Sequence, residues 1–528
     1  MPTFDALADP LEGLPLLGIQ IDAGAAAPPE RGDASRALIT ASTLTLIAST
    51  TGMVIGLLRS KLVAVLLGPG GVGILANLGI YNTFIGSAGT AFAGQGATRA
   101  IAAARAEGRD DRVDWLIRYS FLMPPAVGLL ILVGTVAFAP QISSLVMGDS
   151  QYAHLIALSA IAVPLTLLAA SYAGVLQGFI RIGSLAKANI ATTVVSLVVT
   201  VALIVGFGMT GAVVALSVVA ALQVGIFFMR EPWVVRDRSW RRRLEFNWPA
   251  LHPVLQLGLA SVVVTIAGTL VTLLIRSDIV RVLGLDQNGI YQPVASISDT
   301  YLEILISSTS FYLFPKLTEL LMSGRRSEAA AEVGQGLRVL LAVTVPLLLV
   351  VMAFGQSIVV LLYSSRFNQA ADPLSIQMAG SVIKVIAWSA GAALLPLGYY
   401  RAWLFICLAN LGIKYVGTHL LLPTMGLDGV AVAYNLSWLW SCLAEGFIVI
   451  FIARVGPSLR DWRLAAIAVA LVLGTFGAHE ISLGLGMVIA VAATAAWIVV
   501  SRSDIANLAR TLNAIARPRL QALRRRRG

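Results

Sequence analysis

Charged residues are scarce in this sequence. Asp, Glu, Lys and Arg make up 12% of the chain, and hydrophobic residues make up 57%. Soluble domains carry about 25% charged residues, because a folded chain needs polar surface to face water. The scarcity excludes an ordinary soluble protein and indicates an integral membrane protein. The apolar runs are about 20 residues long and do not alternate with period two, so they predict membrane-spanning helices rather than barrel strands.

Cysteine and catalytic motifs are also lacking. Cys407 and Cys442 are the two cysteines present, which excludes a disulfide framework and the ligand spacing of a zinc site. The sequence lacks a Walker motif, a nucleophile elbow and an HExxH helix, and no polar loop is long enough for an extramembrane catalytic domain. These absences predict a protein that is not an enzyme and that needs no cofactor.

The charge that is present is mostly positive, with a formal net charge of +11. No interleaved basic and aromatic platform accompanies it, so nucleic acid is not expected as a partner. In membrane proteins, arginine and lysine mark the cytoplasmic loops. One set of alternate loops holds most of the cations: 105–112, 181–187, 230–243, 325–326, the loop at Arg401, and 454–463. We therefore expect these loops, and both termini of an even number of spans, to be cytoplasmic.

The apolar runs predict an all-α polytopic membrane protein with about 14 transmembrane helices. Twelve of them form two six-helix lobes, at 37–229 and 249–454, which a basic cytoplasmic linker at 230–248 connects. Two extra C-terminal helices follow at 455–501. The first of these is expected at 463–479, which is short for a full membrane crossing.

Both ends of the chain differ in composition from the spans. Residues 1–36 are rich in proline, glycine, alanine and acids and predict a disordered cytoplasmic tail. They do not resemble a signal peptide, because a basic start is missing and the apolar patch is broken. Residues 502–528 predict a basic cytoplasmic tail, which would also attract anionic lipid.

A stretch near the end of the first span recurs in the second half. Residues 59–73 read RSKLVAVLLGPGGVG and residues 276–289 read RSDIVRVLGLDQNG, so Arg276 repeats Arg59. Aliphatic residues follow Arg-Ser at matching offsets, and a glycine-containing turn closes each stretch. The two lobes are therefore predicted to be copies of one bundle. They are not identical, since Asp278 stands where the first copy has Lys61.

The positive-inside trend also predicts the length of the first helix. If the helix ended at Leu58, Arg59 and Lys61 would lie in a short external loop, against the trend. The helix is instead expected to continue through Leu67, with both cations facing a bundle interior or a wet cavity.

Ionisable residues inside the predicted spans indicate a polar cavity. Each costs about 2.5–3.5 kcal/mol on insertion scales unless it is paired or hydrated. Five cations form a candidate anion-binding set, because arginine grips a phosphate with a planar fork and lysine adds a point charge. They are Arg59, Lys61, Arg99, Arg276 and Lys384. For Arg99, which lies near a span end, the alternative is snorkelling to the interface.

Three acids in the spans are candidates for ion coupling. Asp299 and Glu303 are spaced i, i+4 and share a helix face, where neighbouring carboxylates bind a proton or a sodium ion. The alternative is an internal salt bridge to Lys384 or Arg276. Asp278 does not share a helix face with Arg276 and is available to pair with a cation on another helix.

One further acid lies in span twelve. Lys414 lies in the adjacent span eleven. Because the two helices are adjacent, these residues could pair with each other, and such a pair is interpreted as structural. No functional role is predicted for either residue.

The stretch RSKLVAVLLGPGGVGILANL at 59–78 resembles the first-helix motif of bacterial O-antigen and related polysaccharide translocases of the Wzx type. These proteins belong to the multidrug/oligosaccharidyl-lipid/polysaccharide (MOP) superfamily, with the lipid II flippase and the MATE drug exporters. The resemblance covers about residues 37–454. It implies a flippase that moves an undecaprenyl-pyrophosphate-linked oligosaccharide from the cytoplasmic to the periplasmic leaflet of the bacterial inner membrane by alternating access.

The resemblance also implies residue roles and partners. In the lipid II flippase, cavity arginines on the first, second and seventh or eighth helices are implicated in pyrophosphate binding, and Arg59, Arg99 and Arg276 lie in comparable places. Either H⁺, Na⁺ or the membrane potential would drive the cycle. The implied partners are the lipid-linked glycan of O-antigen or lipopolysaccharide assembly, the bilayer and other polysaccharide assembly proteins. The chain is expected to be a monomer.

Other functions stay open at this stage. A MATE-type cation-coupled exporter of small molecules would have an acid-rich, aromatic site, whereas cations outnumber acids in these spans. A lipid II flippase shares the two extra helices, although the short thirteenth span argues against the same lipid groove. A membrane polymerase or ligase would carry a long periplasmic loop with catalytic Arg or His, which this sequence lacks.

Overall fold

The computed structural model describes residues 31–93, 95–236, 248–504 and 506. Within these ranges the chain forms helices and no strand. Ten of the described helices are long and apolar enough to cross a membrane. The predicted all-α polytopic membrane fold is therefore confirmed. The count of fourteen spans stays a prediction.

The helices are named in chain order. They are α1 (Arg31–Ala93), α2 (Gln95–Ala106), α3 (Asp110–Ala137), α4 (Ala139–Met147), α5 (Ala153–Ala160), α6 (Ala162–Gly178), α7 (Ile182–Arg230), α8 (Trp233–Arg236), α9 (Trp248–Leu283), α10 (Leu285–Ala295), α11 (Leu302–Met322), α12 (Arg326–Ala353), α13 (Gly355–Leu362), α14 (Ala371–Gly391), α15 (Tyr400–Met425), α16 (Leu427–Phe447), α17 (Leu459–Ile481) and α18 (Leu483–Val500). Short 3₁₀ turns at Ser150–Tyr152 and Ser365–Ala370, and π turns at Ser296–Tyr301 and Ile448–Ile452, connect some of them.

The described residues fall into two compact units. The first unit lies within Gly13–Gly289 and Leu362–Arg366, and the second within Ile290–Leu361 and Phe367–Gly528. Helix α9, which the sequence places in the C-terminal lobe, belongs to the first unit by its contacts. The predicted lobe boundaries themselves stay a prediction.

Several predicted segments lie wholly or partly outside the described residues. Most of the predicted N-terminal tail is one of them, because the described chain begins at Arg31 inside α1. The middle of the predicted linker, 237–247, and most of the basic tail at 502–528 are the others.

Helix α1 contains two straight segments that a glycine separates. Gly68 has φ 69° and ψ −175°, a backbone conformation that a residue with a Cβ rarely adopts. Pro69 follows, and it starts a new helical segment without cost because the first N–H groups of a helix have no intrahelical partner. The first segment runs through Leu67, so the prediction that the helix continues past Arg59 and Lys61 is confirmed.

The internal repeat predicted from sequence is also visible in the backbone. Ten described residues have positive φ, and eight of them form pairs whose members are about as far apart in the chain as Arg59 and Arg276. The pairs are Gly68 with Gly284, Gly108 with Gly324, Ile180 with Gly398 and Gly208 with Gly426. Gly208 (φ 57°, ψ −132°) and Gly426 (φ 59°, ψ −139°) have nearly identical backbones. The two halves therefore break their helices at equivalent points.

The two repeated stretches pack against each other at their closing glycines, within the first unit. A Cβ on Gly73 would lie 2.4 Å from the carbonyl oxygen of Leu285, and a Cβ on Gly289 would lie 1.8 Å from the carbonyl oxygen of Pro69. Leu285 is the counterpart of Pro69 in the second copy of the repeat, and Gly289 is the counterpart of Gly73. The sequence separation is the same for both pairs. The contact is therefore reciprocal, and neither glycine leaves room for a methyl group.

Helices α17 and α18 are the two extra C-terminal helices that the sequence predicts. Helix α17 has 23 residues, which at 1.5 Å per residue gives about 35 Å, enough to cross the hydrocarbon core. Ser458 and Asp461 form a capping box at its start. Arg338 on α12 pairs with Asp461, and its Nε lies 3.4 Å from Asp504 Oδ1, so ionic contacts hold this helix pair against α12.

A buried carboxylate fixes the chain after α7, outside the candidate spans. Glu231 accepts hydrogen bonds from Arg181 Nη1 at 2.7 Å, from Trp233 Nε1 at 2.5 Å and from the Ser184 hydroxyl. Burial alone raises the pKa of Glu231, but the hydrogen bonds from Ser184, Trp233 and Arg181 and the charge of Arg181 outweigh it and lower that pKa below 4.5.

The glycine crossing gives a first prediction. We expect Gly289→Ala and Gly73→Ala each to lower the melting temperature of the purified protein, at a cost of about 1–3 kcal/mol, because the helices must separate to admit a methyl group. Gly79→Ala is the matched control on α1, since a Cβ there meets nothing within 4 Å. Equal stability of all three variants would show that the two stretches do not pack closely.

The Glu231 cluster gives a second prediction. A carboxyl whose pKa is lowered by folding stabilises the protein above its unfolded value, near 4.5, and loses that contribution as the pH falls through the lowered folded pKa. We therefore expect Glu231→Gln to cost about 1.5–3 kcal/mol at pH 7 and much less at pH 3, as measured by thermal unfolding. Glu328→Gln, which removes an exposed ion pair, is the control. If the destabilisation by Glu231→Gln did not change with pH, the ionised Glu231 carboxylate would not be the source of the stability.

Candidate functional site

Four ionisable side chains form a cluster in the second unit. Lys384 on α14 has 1% of its side chain exposed, and its Nζ lies 3.8 Å from Asp299 Oδ1 and 3.8 Å from Glu303 Oε2. The same Nζ donates to the carbonyl oxygen of Ser298 at 3.3 Å. Lys414 Nζ on α15 lies 3.7 Å from Asp299 Oδ2. We name these four residues, Asp299, Glu303, Lys384 and Lys414, the charged cluster.

The acids of the charged cluster are positioned by an irregular helical turn. Asp299 lies in the π turn at Ser296–Tyr301, and Glu303 lies in the first turn of α11 that follows it. A π turn holds one more residue than an α turn, and such turns occur frequently at functional sites. Both carboxylates reach one lysine, so the predicted shared face is present. Of the two alternatives for these acids, the internal salt bridge to Lys384 is the one that the structure contains.

Aromatic rings of α16 surround the two lysines. Lys384 Nζ lies 5.1 Å from the ring centroid of Trp438 and 5.8 Å from that of Tyr434, and Lys414 Nζ lies 5.1 Å from that of Tyr434. The negative face of an aromatic ring attracts a cation within about 6 Å. Tyr434 and Trp438 are spaced i, i+4, so one face of α16 supplies both rings. Trp438 therefore lines this cluster.

The cluster is formally neutral, but its groups differ in accessibility. The side chains of Asp299 and Glu303 are 37% and 53% exposed, whereas Lys384 lies behind them. A ligand that approaches thus meets carboxylates first. If these carboxylates take up a proton or a cation, both lysines lose their countercharges and become available to an anion. The arrangement can therefore bind a cation on the acids together with an anion on the lysines.

Arg276, a predicted anion ligand, belongs to a buried polar network that is centred on Asn288 in the first unit. It is 2% exposed, and its Nη1 donates to Asn288 Oδ1 at 3.1 Å. Asn288 Nδ2 donates to the carbonyl oxygen of Gly73 and to Asn77 Oδ1, each at 2.9 Å. Asn77 in turn donates to the carbonyl oxygen of Val146 at 2.9 Å. The network ties both repeated stretches to α4, beside the glycine crossing.

The other predicted residues of the first unit are more accessible. Arg59 on α1 and Arg99 on α2 are exposed, while Lys61 and Asp278 are half-buried. Arg59 lies nine residues before Gly68 and Arg276 eight residues before Gly284, so each is about 12–14 Å along its helix from the break. The two arginines that recur in the sequence thus lie at a similar distance from the glycine breaks of their helices. They differ in exposure, because Arg59 is exposed and Arg276 is buried. The binding roles of all eight predicted residues stay predictions.

One predicted pair is wrong. Lys414 lies at Asp299 instead of Glu445, and among the described residues no cation lies within ion-pair distance of Glu445. The sequence places Glu445 and Lys414 on consecutive helices but does not give the rotation of α16 against α15. The aromatic pair at i, i+4 is the signal that could have placed Lys414 with Lys384, because cations collect at such a face.

The comparisons with known proteins agree with a transporter rather than an enzyme. Residues 62–372 match the family model described as "Polysaccharide biosynthesis protein". The lipid III flippase of Escherichia coli K12 is 25% identical over 394 residues, which cover 73% of this chain and 91% of that protein. The lipid III flippase of Shigella flexneri matches to the same extent.

Solved structures of the MOP superfamily share the fold. The lipid II flippase MurJ in an inward closed conformation superposes with a TM-score of 0.65 at 12% identity, and the match covers 88% of this chain and 100% of MurJ. An inward-facing MATE multidrug transporter gives a TM-score of 0.61 at 15% identity, covering 78% of this chain and 98% of the other. At these identities the likeness concerns the fold, and it confirms the predicted MOP fold.

The charged cluster gives a third prediction. Asp299→Asn and Lys384→Met should each lower the melting temperature, at a cost of about 1–3 kcal/mol, because each change removes one countercharge from a partly buried cluster. The double variant should be more stable than the sum of the single changes implies, by about 0.5–3 kcal/mol.

The control for this double-mutant cycle is an exposed pair on the same stretch. Lys316→Met and Glu319→Gln on α11 remove an ion pair that lies at 3.2 Å but faces outward, and they should change stability little. Additive effects at Asp299 and Lys384 would mean that their contact contributes nothing.

Proposed function

Because the chain belongs to the polysaccharide biosynthesis protein family, we propose that it is a flippase for a lipid-linked oligosaccharide. The substrate is an oligosaccharide on undecaprenyl pyrophosphate, which the protein moves from the cytoplasmic to the periplasmic leaflet of the bacterial inner membrane. The observation that carries the proposal is the match to two lipid III flippases over 91% of their length. The membrane-spanning fold supports it.

The physical problem of such a substrate is its polar head. A pyrophosphate and several sugars cannot cross hydrocarbon unaided, because each unsatisfied polar group costs several kcal/mol there. Charged side chains inside a helical bundle are themselves costly and mark transport pathways. The charged cluster and the exposed Arg59 are side chains of this kind. We assign them to a polar route that opens first to the cytoplasm and then to the periplasm.

We assign the first contact with the pyrophosphate to Arg59. Its guanidinium is exposed on α1 at a depth of about 13 Å from the Gly68 break, and arginine binds phosphate oxygens in pairs. Lys61 lies two residues away and adds a second positive charge, and Arg99 on α2 adds a third. Arg276 and Lys384 are held by Asn288 and by the acids of the charged cluster. In this proposal Arg276 and Lys384 contact the substrate only after their bonds to Asn288 and to these acids have broken.

Ion coupling is assigned to the exposed acids of the charged cluster. Uptake of H⁺ or Na⁺ by Asp299 and Glu303 releases Lys384 and Lys414 toward an anionic head group, and loss of the cation restores the salt bridges. The membrane potential supplies about 2.3 kcal/mol per charge per 100 mV to such a step. Asp278 is a further candidate in the first unit. Both termini are cytoplasmic in this scheme, and the protein acts as a monomer.

A MATE-type exporter is the second candidate, and the fold likeness to a MATE transporter favours it. A MATE-type exporter needs an acid-rich, aromatic site to bind cationic drugs. The charged cluster has aromatic rings, but they face two lysines of the protein itself. Lipid II is an alternative substrate of the same chemical class. Flipping assays with lipid-linked O-antigen units, lipid II and a cationic dye would separate the three.

The fourth prediction concerns Arg59. In a strain that depends on this protein for its surface polysaccharide, Arg59→Ala should reduce polysaccharide about tenfold or more, since a charge-assisted hydrogen bond contributes about 1.5–3 kcal/mol. Lipid-linked oligosaccharide should accumulate on the cytoplasmic leaflet. Arg59→Lys should be intermediate, because lysine keeps the charge but loses the planar fork.

Arg109→Ala is the matched control, since it removes an exposed arginine from a loop of the same unit. The amount of each variant in the membrane is measured with an epitope tag. Normal polysaccharide in Arg59→Ala would exclude the proposed role of this arginine.

A further inference from the structure

Glu445 on α16 is a buried acid that the charged cluster does not use. It is 7% exposed, and its Oε2 has no hydrogen-bond partner. It lies in a candidate membrane span, Leu427–Ile452. Its surroundings differ from those of Asp299 and Glu303, which are more exposed and face lysines. The protonation state of Glu445 therefore has to be considered, because an unpaired buried charge is costly.

The neighbours of Glu445 on three helices are uncharged or weakly acidic. On α14 the carboxyl packs against Gly391, where an added Cβ would lie 2.8 Å from Oε2 and 2.9 Å from Oε1. Among the described residues, the titratable groups near it are the thiols of Cys407 on α15 and Cys442 on its own helix. Lys384, the nearest cation along α14, is seven residues from Gly391, about 10 Å along the helix.

These observations decide which form of the carboxyl the site accepts. A carboxylate needs a cation or several donors, and the site supplies no cation among the described residues. A carboxylic acid needs far less, because it is neutral. Gly391 leaves the space that the carboxyl fills, so the packing admits the group without giving it a countercharge. The pocket therefore fits a protonated carboxyl.

The backbone next to Glu445 allows this environment to change. A π turn at Ile448–Ile452 begins three residues after Glu445, and in the same unit the other π turn carries Asp299. Such turns occur frequently at functional sites. A shift that moves the carboxyl toward water would release its proton.

We propose that Glu445 is a proton-binding site of the second unit, distinct from the charged cluster, and that it is loaded and unloaded once in each transport cycle. The second part rests on the proposed flippase function. Binding forms the O–H bond of the carboxylic acid from a carboxylate and a proton of the medium, and release reverses it. With the coupling proton on Glu445, the ion assigned above to the acids of the charged cluster would be Na⁺ rather than H⁺.

The first experiment tests proton binding without any substrate. Infrared difference spectra of the full chain in lipid nanodiscs are recorded as the pH is raised from 5 to 9. The wild-type protein should show a carboxylic-acid C=O band that disappears as the pH rises, and Glu445→Gln should lack this band. Glu445→Asp should retain a band at a shifted position, and Asp372→Asn, an exposed acid of α14, should leave it unchanged. A band that persists in Glu445→Gln would overturn the proposal.

The second experiment tests coupling. Proteoliposomes that contain lipid-linked oligosaccharide are given a pH gradient, and flipping is compared with and without it. The gradient should accelerate wild-type flipping several-fold and leave Glu445→Gln unaffected, while Asp372→Asn behaves as wild type. Equal stimulation of Glu445→Gln would overturn the coupling. If wild-type protein flips no substrate at all, the flippase proposal fails, and the infrared titration still decides whether Glu445 binds a proton.

Folding is controlled in both experiments. Glu445→Gln conserves shape and neutrality, so it should elute as a single species and melt within a few degrees of wild type. Gly391→Ala provides a second perturbation, because its methyl group would press on the carboxyl. It should shift the pH at which the band disappears without removing the band, and an unchanged midpoint would contradict the close packing of Gly391 against Glu445.

Discussion

The free-energy cost of a charge in hydrocarbon constrains where the ionisable side chains of this protein lie. Lys384 is buried with two carboxylates at 3.8 Å and two aromatic rings beside it. Arg276 is buried with an asparagine that is itself fully hydrogen-bonded on its amino side. Asp461 is buried with Arg338 and its own helix cap. Lys384, Arg276 and Asp461 each have a partner on another helix. The polar contacts therefore determine how helices pair inside each unit.

Backbone geometry sets where those partners can meet. The glycine breaks recur at nearly constant separation in the two halves, so each half presents its helix ends at equivalent points. At Gly73 and Gly289 the absence of a side chain lets two backbones approach so closely that Asn288 reaches across to Gly73 and Asn77. That asparagine holds Arg276. The position of one buried arginine thus depends on two glycines that carry no charge.

The sequence predicts the features that follow from period and composition. Apolar runs give the helical membrane fold, the recurrence of Arg-Ser gives the repeat, and the i, i+4 spacing of Asp299 and Glu303 gives their common face. It does not predict features that depend on the rotation of one helix against another. Consecutive helices suggest a pair of Lys414 with Glu445, whereas the Lys414 Nζ lies at Asp299. The burial of Arg276 depends on Asn288, whose place follows from a helix crossing that no local pattern encodes.

The crossing of the repeated stretches also has a consequence for the ancestry of the chain. Gly73 faces the carbonyl of Leu285, and Gly289 faces the carbonyl of Pro69, so each copy offers the other the same glycine and the same carbonyl position. Two separate molecules related by a two-fold axis make contacts of this reciprocal kind, and such an interface is isologous. A half-length protein with this stretch would be able to form the same reciprocal glycine contact with a second copy of itself. In a single chain the two copies need not be identical, and at the corresponding positions this sequence has Lys61 in one copy and Asp278 in the other.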